Sequence, residues 1–280
     1  MNTFYIDGVF VPESEAQLPV NDLAVLRGYG VFDFLRTYNG LPFHLEEHLV
    51  RLERSAQLIG LQIPVSRKEL SRIVYETIDR NDHPEYNIRL IVTGGASVDN
   101  ITPGSNPKLL VMVTAAKKME PRWYTDGVKI ITSHMDRLMP GSKSINYIPG
   151  ILSLREAADR QAVEAVYVDN HGYLQEGTTS NFFAFFGDTL ATPPGDRILP
   201  GITRQIVIDL ARSEFKIEIR DVHKDEIRLM DEAMITASNK EIMPVVGIDS
   251  VKLPGGRPGK NVLRMMEMFA EYTRTYRPSV

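Results

Sequence analysis

Apolar residues recur along this chain with two periods, and the period switches several times. Phe4-Tyr-Ile6 and Val9-Phe-Val11 flank Asp7-Gly8, which predicts a hairpin. Val31-Phe-Asp-Phe-Leu-Arg-Thr-Tyr38 alternates with period two and predicts a strand, turned at Asn39-Gly40 into Leu41-Pro-Phe43. Leu45, Leu49, Leu52, Ala56 and Ile59 then repeat at four and three, the stripe of a helix that Gly60 ends. Ser66 with Glu69 three residues on predicts the capped start of a second helix reaching about Ile78. Tyr86 to Val92 and Lys108 to Thr114 read as strands.

Lys117 to Asp126 is polar, contains Pro121 and precedes Gly127, which predicts a linker. Beyond it come a strand at Val128 to Ser133, a helix near Ile151 to Gln161, and a hairpin of Glu164 to Asp169 with Tyr173 onward. Phe182 to Phe186 is a nearly continuous apolar strand, and helices near Thr203–Ser213 and Asn261–Thr275 complete the pattern. The expected organisation is α+β in two domains: residues 1–118, a linker at 119–127, and residues 128–280.

The chain has 280 residues, 43% of them apolar, enough to bury a core. A net charge of −4 gives no reason to expect a nucleic-acid or membrane partner. The lack of cysteine excludes disulfides, thiolate metal sites and thiol nucleophiles. The first residues lack the pattern of a signal peptide, and no apolar run reaches membrane-spanning length, so a cytoplasmic protein is expected.

His44-Leu-Glu-Glu-His48 matches a zinc-peptidase pattern, H-x-x-E-H. Arg51 lies one turn further on the same side, where it would oppose a dication, and no acidic third ligand is identifiable downstream. No metal is expected; a zinc hydrolase using His44 and His48 is the remote alternative. Gly28-Tyr-Gly30 and Gly259-Lys260 lack the remaining positions of nucleotide-binding loops and read as turns.

Three other features suggest chemistry. Lys143 sits between Pro140-Gly-Ser and the apolar run from Ile145 to Leu154, and apolar surroundings disfavour an ammonium and free the amine. Glu176 follows a strand and precedes small residues, so its carboxylate could face a cleft. Gly201-Ile-Thr-Arg204 opens a helix whose first amides suit a phosphate. Thr236-Ala-Ser-Asn239 offers further donors, and Arg51, bordering its apolar stripe, can reach inward to a buried anion. Each also has a plain reading: a solvated lysine, a turn carboxylate, a simple helix cap.

In combination they resemble a known family. Arg51 in His48-Leu-Val-Arg-Leu52, Lys143, Glu176 in Glu-Gly-Thr-Thr-Ser-Asn181, Leu199-Pro-Gly-Ile-Thr-Arg204 and Ser238-Asn-Lys-Glu-Ile-Met-Pro-Val245 stand in the order found in fold-type IV pyridoxal phosphate enzymes. That family contains branched-chain aminotransferases, D-amino acid transaminases and aminodeoxychorismate lyases. The resemblance implies a small α/β domain followed by a larger barrel-like domain with helices, and pyridoxal 5′-phosphate as cofactor. It implies that Lys143 is catalytic, holding the cofactor's aldehyde and shuttling the proton, and that Glu176 pairs with the ring nitrogen. Arg51, Ile202, Thr203, Ser238 and Asn239 would hold the phosphate, Leu199 would pack on the ring, and Thr179 would lie beside it. It further implies a homodimer whose substrate pocket borrows residues from the partner chain.

The residues expected to touch substrate are Arg27, Phe32, Arg36 and Arg89. Gly95-Ala-Ser-Val-Asp-Asn-Ile-Thr-Pro103 lacks the Arg-x-His carboxylate trap of the usual D-amino acid transaminases, and Phe32 replaces their tyrosine. Arg89 matches an arginine of the branched-chain enzymes, whereas Arg27 replaces their aromatic residue. An arginine in an apolar side-chain pocket opposes a leucine-like substrate and favours a second carboxylate. The expected activity is transfer of an amino group between a D-amino acid of the glutamate or alanine type and a 2-oxo acid such as 2-oxoglutarate. A branched-chain L-amino acid aminotransferase and a lyase are the alternatives.

Overall fold

The computed structural model describes residues 1–278, and the chain divides into two compact units. The first unit holds β1 (Thr3–Ile6), β2 (Val9–Pro12), α1 (Leu23–Arg27), β3 (Gly30–Tyr38), β4 (Leu41–Pro42), α2 (Leu45–Leu58), α3 (Arg67–Asp79), β5 (Tyr86–Thr93) and β6 (Lys108–Ala115). Antiparallel pairing gives the sheet order β2-β1-β6-β5-β3-β4. Period two decides the faces. Val31 and Leu35 pack with Leu49 and Leu52 of α2 and with Ile73 and Val74 of α3. Phe32, Phe34 and Arg36 take the opposite face, where Phe34 stands in register with Arg89.

Residues 142–146 join this first unit, although the expected boundary put everything from residue 128 in the second domain. Pairing with β4 covers only Thr37 and Tyr38 of β3, which leaves backbone groups open at its other end. The Lys143 segment takes them up: Phe32 N–H donates to the Lys143 carbonyl at 2.9 Å, and Ile145 N–H donates to the Gly30 carbonyl at 3.1 Å. Only glycine allows this approach, since a Cβ at Gly30 would lie 2.9 Å from Ile145 Cδ1 and 2.7 Å from the Val92 carbonyl.

The second unit starts at Lys118. The predicted linker contains a helical turn, α4 (Arg122–Thr125), because Pro121 starts a helix at no hydrogen-bond cost. Then follow β7 (Val128–His134), α5 (Ile148–Asp159), β8 (Glu164–Val168), β9 (Tyr173–Gly177), β10 (Asn181–Phe186), β11 (Thr189–Thr192), α6 (Ile202–Ala211), β12 (Lys216–Ile219), β13 (Val222–His223), β14 (Glu232–Ala237), β15 (Glu241–Ile248), β16 (Val251–Lys252) and α7 (Lys260–Thr275). Strands β10-β14-β15-β7-β8-β9 run side by side, and β9 pairs back to β10, which closes a barrel. Its core gathers Phe182, Ala184, Ile235, Met243, Val245, Ile130 and Val166. Phe183 and Phe185 are fully buried with the opposite parity, Phe185 edge-on to Phe215 at 5.0 Å. Burial of both faces explains the unbroken apolar run. Among the described residues no helix is long and apolar enough to cross a membrane.

Candidate active site

The residues singled out in the sequence fall into two groups, one in each unit. In the first, the pairing with β3 sets Lys143 opposite Phe32, on the sheet face away from the core. Its Nζ lies 4.6 Å from the centre of the Phe32 ring, and the Arg89 guanidinium lies 5.3 Å from the same centre. The Ser55 hydroxyl on α2 accepts from the Lys143 amide at 3.1 Å, and Ser142 Oγ donates to the Ser55 carbonyl at 3.2 Å. The lysine backbone is thus tied to a strand and a helix. Arg36 lies two residues beyond Phe34 on the same face, its guanidinium 4.7 Å from the Tyr38 ring. Arg27 is exposed at the end of α1, with Nη1 on the Leu26 carbonyl at 2.8 Å.

On the core face Asp33 is fully buried, and Arg51 and His48 of α2 converge on it. Arg51 Nε donates to Asp33 Oδ2 at 2.8 Å, and Nη2 donates to Oδ1 at 2.7 Å. The buried anion that Arg51 reaches here is this carboxylate. His48 Nδ1 lies 2.7 Å from Asp33 Oδ1 and 3.2 Å from Arg51 Nη2; a carboxylate can only accept, so Nδ1 carries the proton. Burial would raise the Asp33 carboxyl, but the Arg51 charge, helped by His48, outweighs it and holds the group well below the usual range. Burial pushes His48 down, with Arg51 and Lys143 adding to that and Asp33 opposing, so the ring is neutral. His44 turns elsewhere, Nδ1 on Glu47 at 2.8 Å, so the two histidines of the zinc-like pattern share no ligand. Among the described residues no three His, Cys, Asp or Glu side chains form a group that could hold a metal.

The buried neutral His48 predicts a pH effect. Below the ordinary value of 6.5 the unfolded chain takes up a proton at this position and the folded chain does not. Stability therefore falls on acidification from that pH, by up to about 1.4 kcal/mol per pH unit, until the depressed folded value is reached. Denaturant titrations at pH 7 and pH 5 should show this loss, and His48→Asn, which keeps a donor near Nδ1, should reduce it.

In the second unit, register places Glu176, Asn181 and Thr236 in one row across β9, β10 and β14. Glu176 is 4% exposed. Arg137 Nη1 donates to its Oε1, and the Leu199 amide donates to Oε2 at 3.0 Å. Arg137 is steadied by the Pro140 carbonyl at 3.1 Å. A cavity of about 210 Å³ borders this pair, lined by Tyr167, Gln175 and Arg197 among others. Asn181 Nδ2 donates to the Leu199 carbonyl at 3.1 Å, which holds the approach to α6 against the barrel. Gly201 caps α6 without a side-chain hydrogen bond, Ile202 is half-buried and Thr203 is buried.

Ser238 and Asn239, both half-buried, form the turn between β14 and β15 together with Lys240. Lys240 is buried and reaches Glu164 Oε2 at 2.6 Å; Thr179 Oγ1 donates to the same oxygen at 2.7 Å. Tyr147 donates to the Thr178 carbonyl at 3.0 Å. Each unit carries groups that fit pyridoxal phosphate: the first has a primary amine beside an aromatic ring, and the second has a buried carboxylate and an uncapped ten-residue helix start suited to an anion.

Sequence reasoning passed over Asp33, Ser55, Arg137 and Glu164. A signal existed for Asp33, whose parity matches Val31 and Leu35 and so puts a carboxylate on the core face. The other three depend on partners far apart in the chain.

The sequence model of the class IV amino-transferase family matches residues 30–248. A protein named provisionally as a branched-chain-amino-acid aminotransferase, from Methanocaldococcus jannaschii, is 34% identical over 274 residues, covering 95% of each chain. The D-alanine aminotransferase of Bacillus licheniformis is 32% identical over 264 residues, covering 91% of this chain and 93% of that one. The crystal structure of the T.th. branched-chain amino acid aminotransferase with N-(5′-phosphopyridoxyl)-L-glutamate superposes with a TM-score of 0.90 at 29% identity, covering 99% of this chain and 95% of that one.

Proposed function

The chain belongs to the class IV aminotransferase family, and from that premise we propose that it moves an amino group between a D-amino acid of the glutamate or alanine type and a 2-oxo acid such as 2-oxoglutarate. Bound pyridoxal 5′-phosphate supplies an aldehyde and a ring that takes up electrons as the substrate Cα loses its proton. Lys143 Nζ holds that aldehyde at rest and carries the Cα proton. Glu176 keeps the proton on the ring nitrogen. Ile202, Thr203, Ser238 and Asn239 would hold the phosphate, Leu199 would pack on the ring and Thr179 would lie beside it; Arg51, expected with them from the sequence, instead spends Nε and Nη2 on the Asp33 carboxylate. The enzyme is a homodimer whose substrate pocket borrows residues from the partner chain, and Arg27, exposed in the single chain, is one of its substrate-binding residues.

The observation that carries the substrate reading is the Phe32 ring flanked by the Lys143 amine at 4.6 Å and the Arg89 guanidinium at 5.3 Å. A substrate amine at Lys143 brings its carboxylate within reach of a cation, and Arg27 supplies a second one for a distal carboxylate. The second reading, a branched-chain L-amino acid aminotransferase, is favoured by the name of the archaeal relative and by the surface position of Arg27 in a single chain.

Mixing the holoenzyme separately with D-glutamate, D-alanine, L-glutamate and L-leucine while following the cofactor's absorbance distinguishes the two. D-glutamate should react fastest. Arg27→Leu should lower the rate with D-glutamate more than with D-alanine. A wild-type preference for L-leucine, or an unchanged rank order in Arg27→Leu, supports the branched-chain reading instead. Glu176→Gln should slow the half-reaction more than about tenfold, roughly 1.4 kcal/mol. An unchanged rate would leave Glu176 with a structural role alone, as the acceptor for Arg137 and the Leu199 amide.

A further inference from the structure

Glu164 is the most heavily engaged carboxylate of the second unit, yet the reaction gives it no task. It opens β8 and is fully buried. Oε1 accepts from the Thr178 hydroxyl and from the Ala165 amide at 3.1 Å. Oε2 accepts from Thr179 Oγ1 at 2.7 Å, Ser180 Oγ at 3.1 Å and Lys240 Nζ at 2.6 Å. Lys240 Nζ also donates to Thr179 Oγ1 at 2.6 Å. Burial would raise the carboxyl, but Lys240 and the hydroxyls outweigh it, so the group is ionised.

Two turns meet on this pair. Thr178-Thr179-Ser180 leads directly from Glu176 into β10, and Ser238-Asn239-Lys240 joins β14 to β15. A side chain at Gly177 would lie 2.2 Å from Ser180 Oγ, so the first turn has no slack. Tyr124 OH donates to the Lys240 carbonyl at 3.0 Å and holds the second turn from behind. Thr179 has one hydroxyl proton, and Glu164 takes it. Thr179 is therefore not free to donate elsewhere while the pair is intact.

We propose that the buried Glu164–Lys240 ion pair is a positioning device that locks the Thr178–Ser180 turn beside the cofactor and the Ser238–Asn239 turn at its phosphate. The proposal rests on the assignment of Ser238 and Asn239 to that phosphate. Neither charged residue touches the reacting atoms. A buried pair adds little net stability over apolar residues of similar volume, whereas its directed hydrogen bonds specify one arrangement of the two turns.

The experiment is titration of apoenzyme with pyridoxal 5′-phosphate, read as a dissociation constant, beside thermal melting of the same apoenzyme and kcat and KM of the loaded form. Lys240→Met should raise the dissociation constant at least about tenfold, and Lys240→Arg should recover most of it. Glu164→Gln/Lys240→Met removes both charges, so it should fold even if the single variant does not, and should still bind weakly. A purely structural pair would lower the melting temperature and leave the dissociation constant of the folded apoenzyme unchanged. Wild-type binding in folded Lys240→Met, or in the double variant, overturns the proposal. Ser238→Ala in the same titration separates the two assignments: weakened binding there, with wild-type binding in Lys240→Met, removes the positioning role alone. Wild-type binding in both removes the phosphate assignment as well.

Discussion

Lys143→Ala should abolish turnover while leaving the fold intact. Its side chain is half-buried over the Phe32 ring, and the segment is held by backbone hydrogen bonds to Gly30, Phe32 and Ser55 that alanine keeps. On the proposed role, what is lost is the amine that would hold the aldehyde and move the Cα proton. The single-turnover rate with a good amino donor should fall by more than about a thousandfold, a loss above roughly 4 kcal/mol. The circular dichroism spectrum should match wild type, and a small primary amine in solution should restore part of the rate. Wild-type turnover without added amine would sink the assignment.

Asp33→Ala is expected to have the largest effect on stability. It leaves the Arg51 guanidinium, 7% exposed, without the two-pronged partner it has at 2.8 and 2.7 Å, and takes the acceptor from His48 Nδ1. Removing one partner of a buried pair typically costs about 3–5 kcal/mol, because the surviving charge stays buried. Urea unfolding should show that loss at pH 7. Asp33→Leu/Arg51→Met should be less destabilised than Asp33→Ala, since no charge is left behind. A double variant weaker than the single would show that the pair stabilises by attraction rather than by mutual neutralisation.

Period alone located β3 and α2, because one face of each is buried against the other and burial imposes the period of the element. The phenylalanine run of β10 was legible for the same reason, both faces being covered. The order of Arg51, Lys143, Glu176 and the Gly201 helix start was also in the sequence, and with it the family. Small strands such as β12, β13 and β16, two to four residues long, carried no pattern of their own. Closure of the barrel came from the β9–β10 pairing, a match between backbone edges that side-chain type does not encode.

Tertiary structure alone decided where the side chains spend their hydrogen bonds. Lys143 was expected in the second domain, but the open edge of β3 draws its segment into the first unit. Arg51 was legible as an inward-facing guanidinium, and only the fold shows that α2 brings it onto Asp33, eighteen positions away. Glu176 was legible as a carboxylate at a strand end; its hold on Arg137 and on the Leu199 amide needs segments 39 and 23 positions apart to meet. The Glu164–Lys240 pair spans 76 positions. Local pattern determines which face of an element is buried, since neighbours in sequence share that face. Which charge meets which inside the barrel is set by strand order and register, and those follow from the packing of the whole unit.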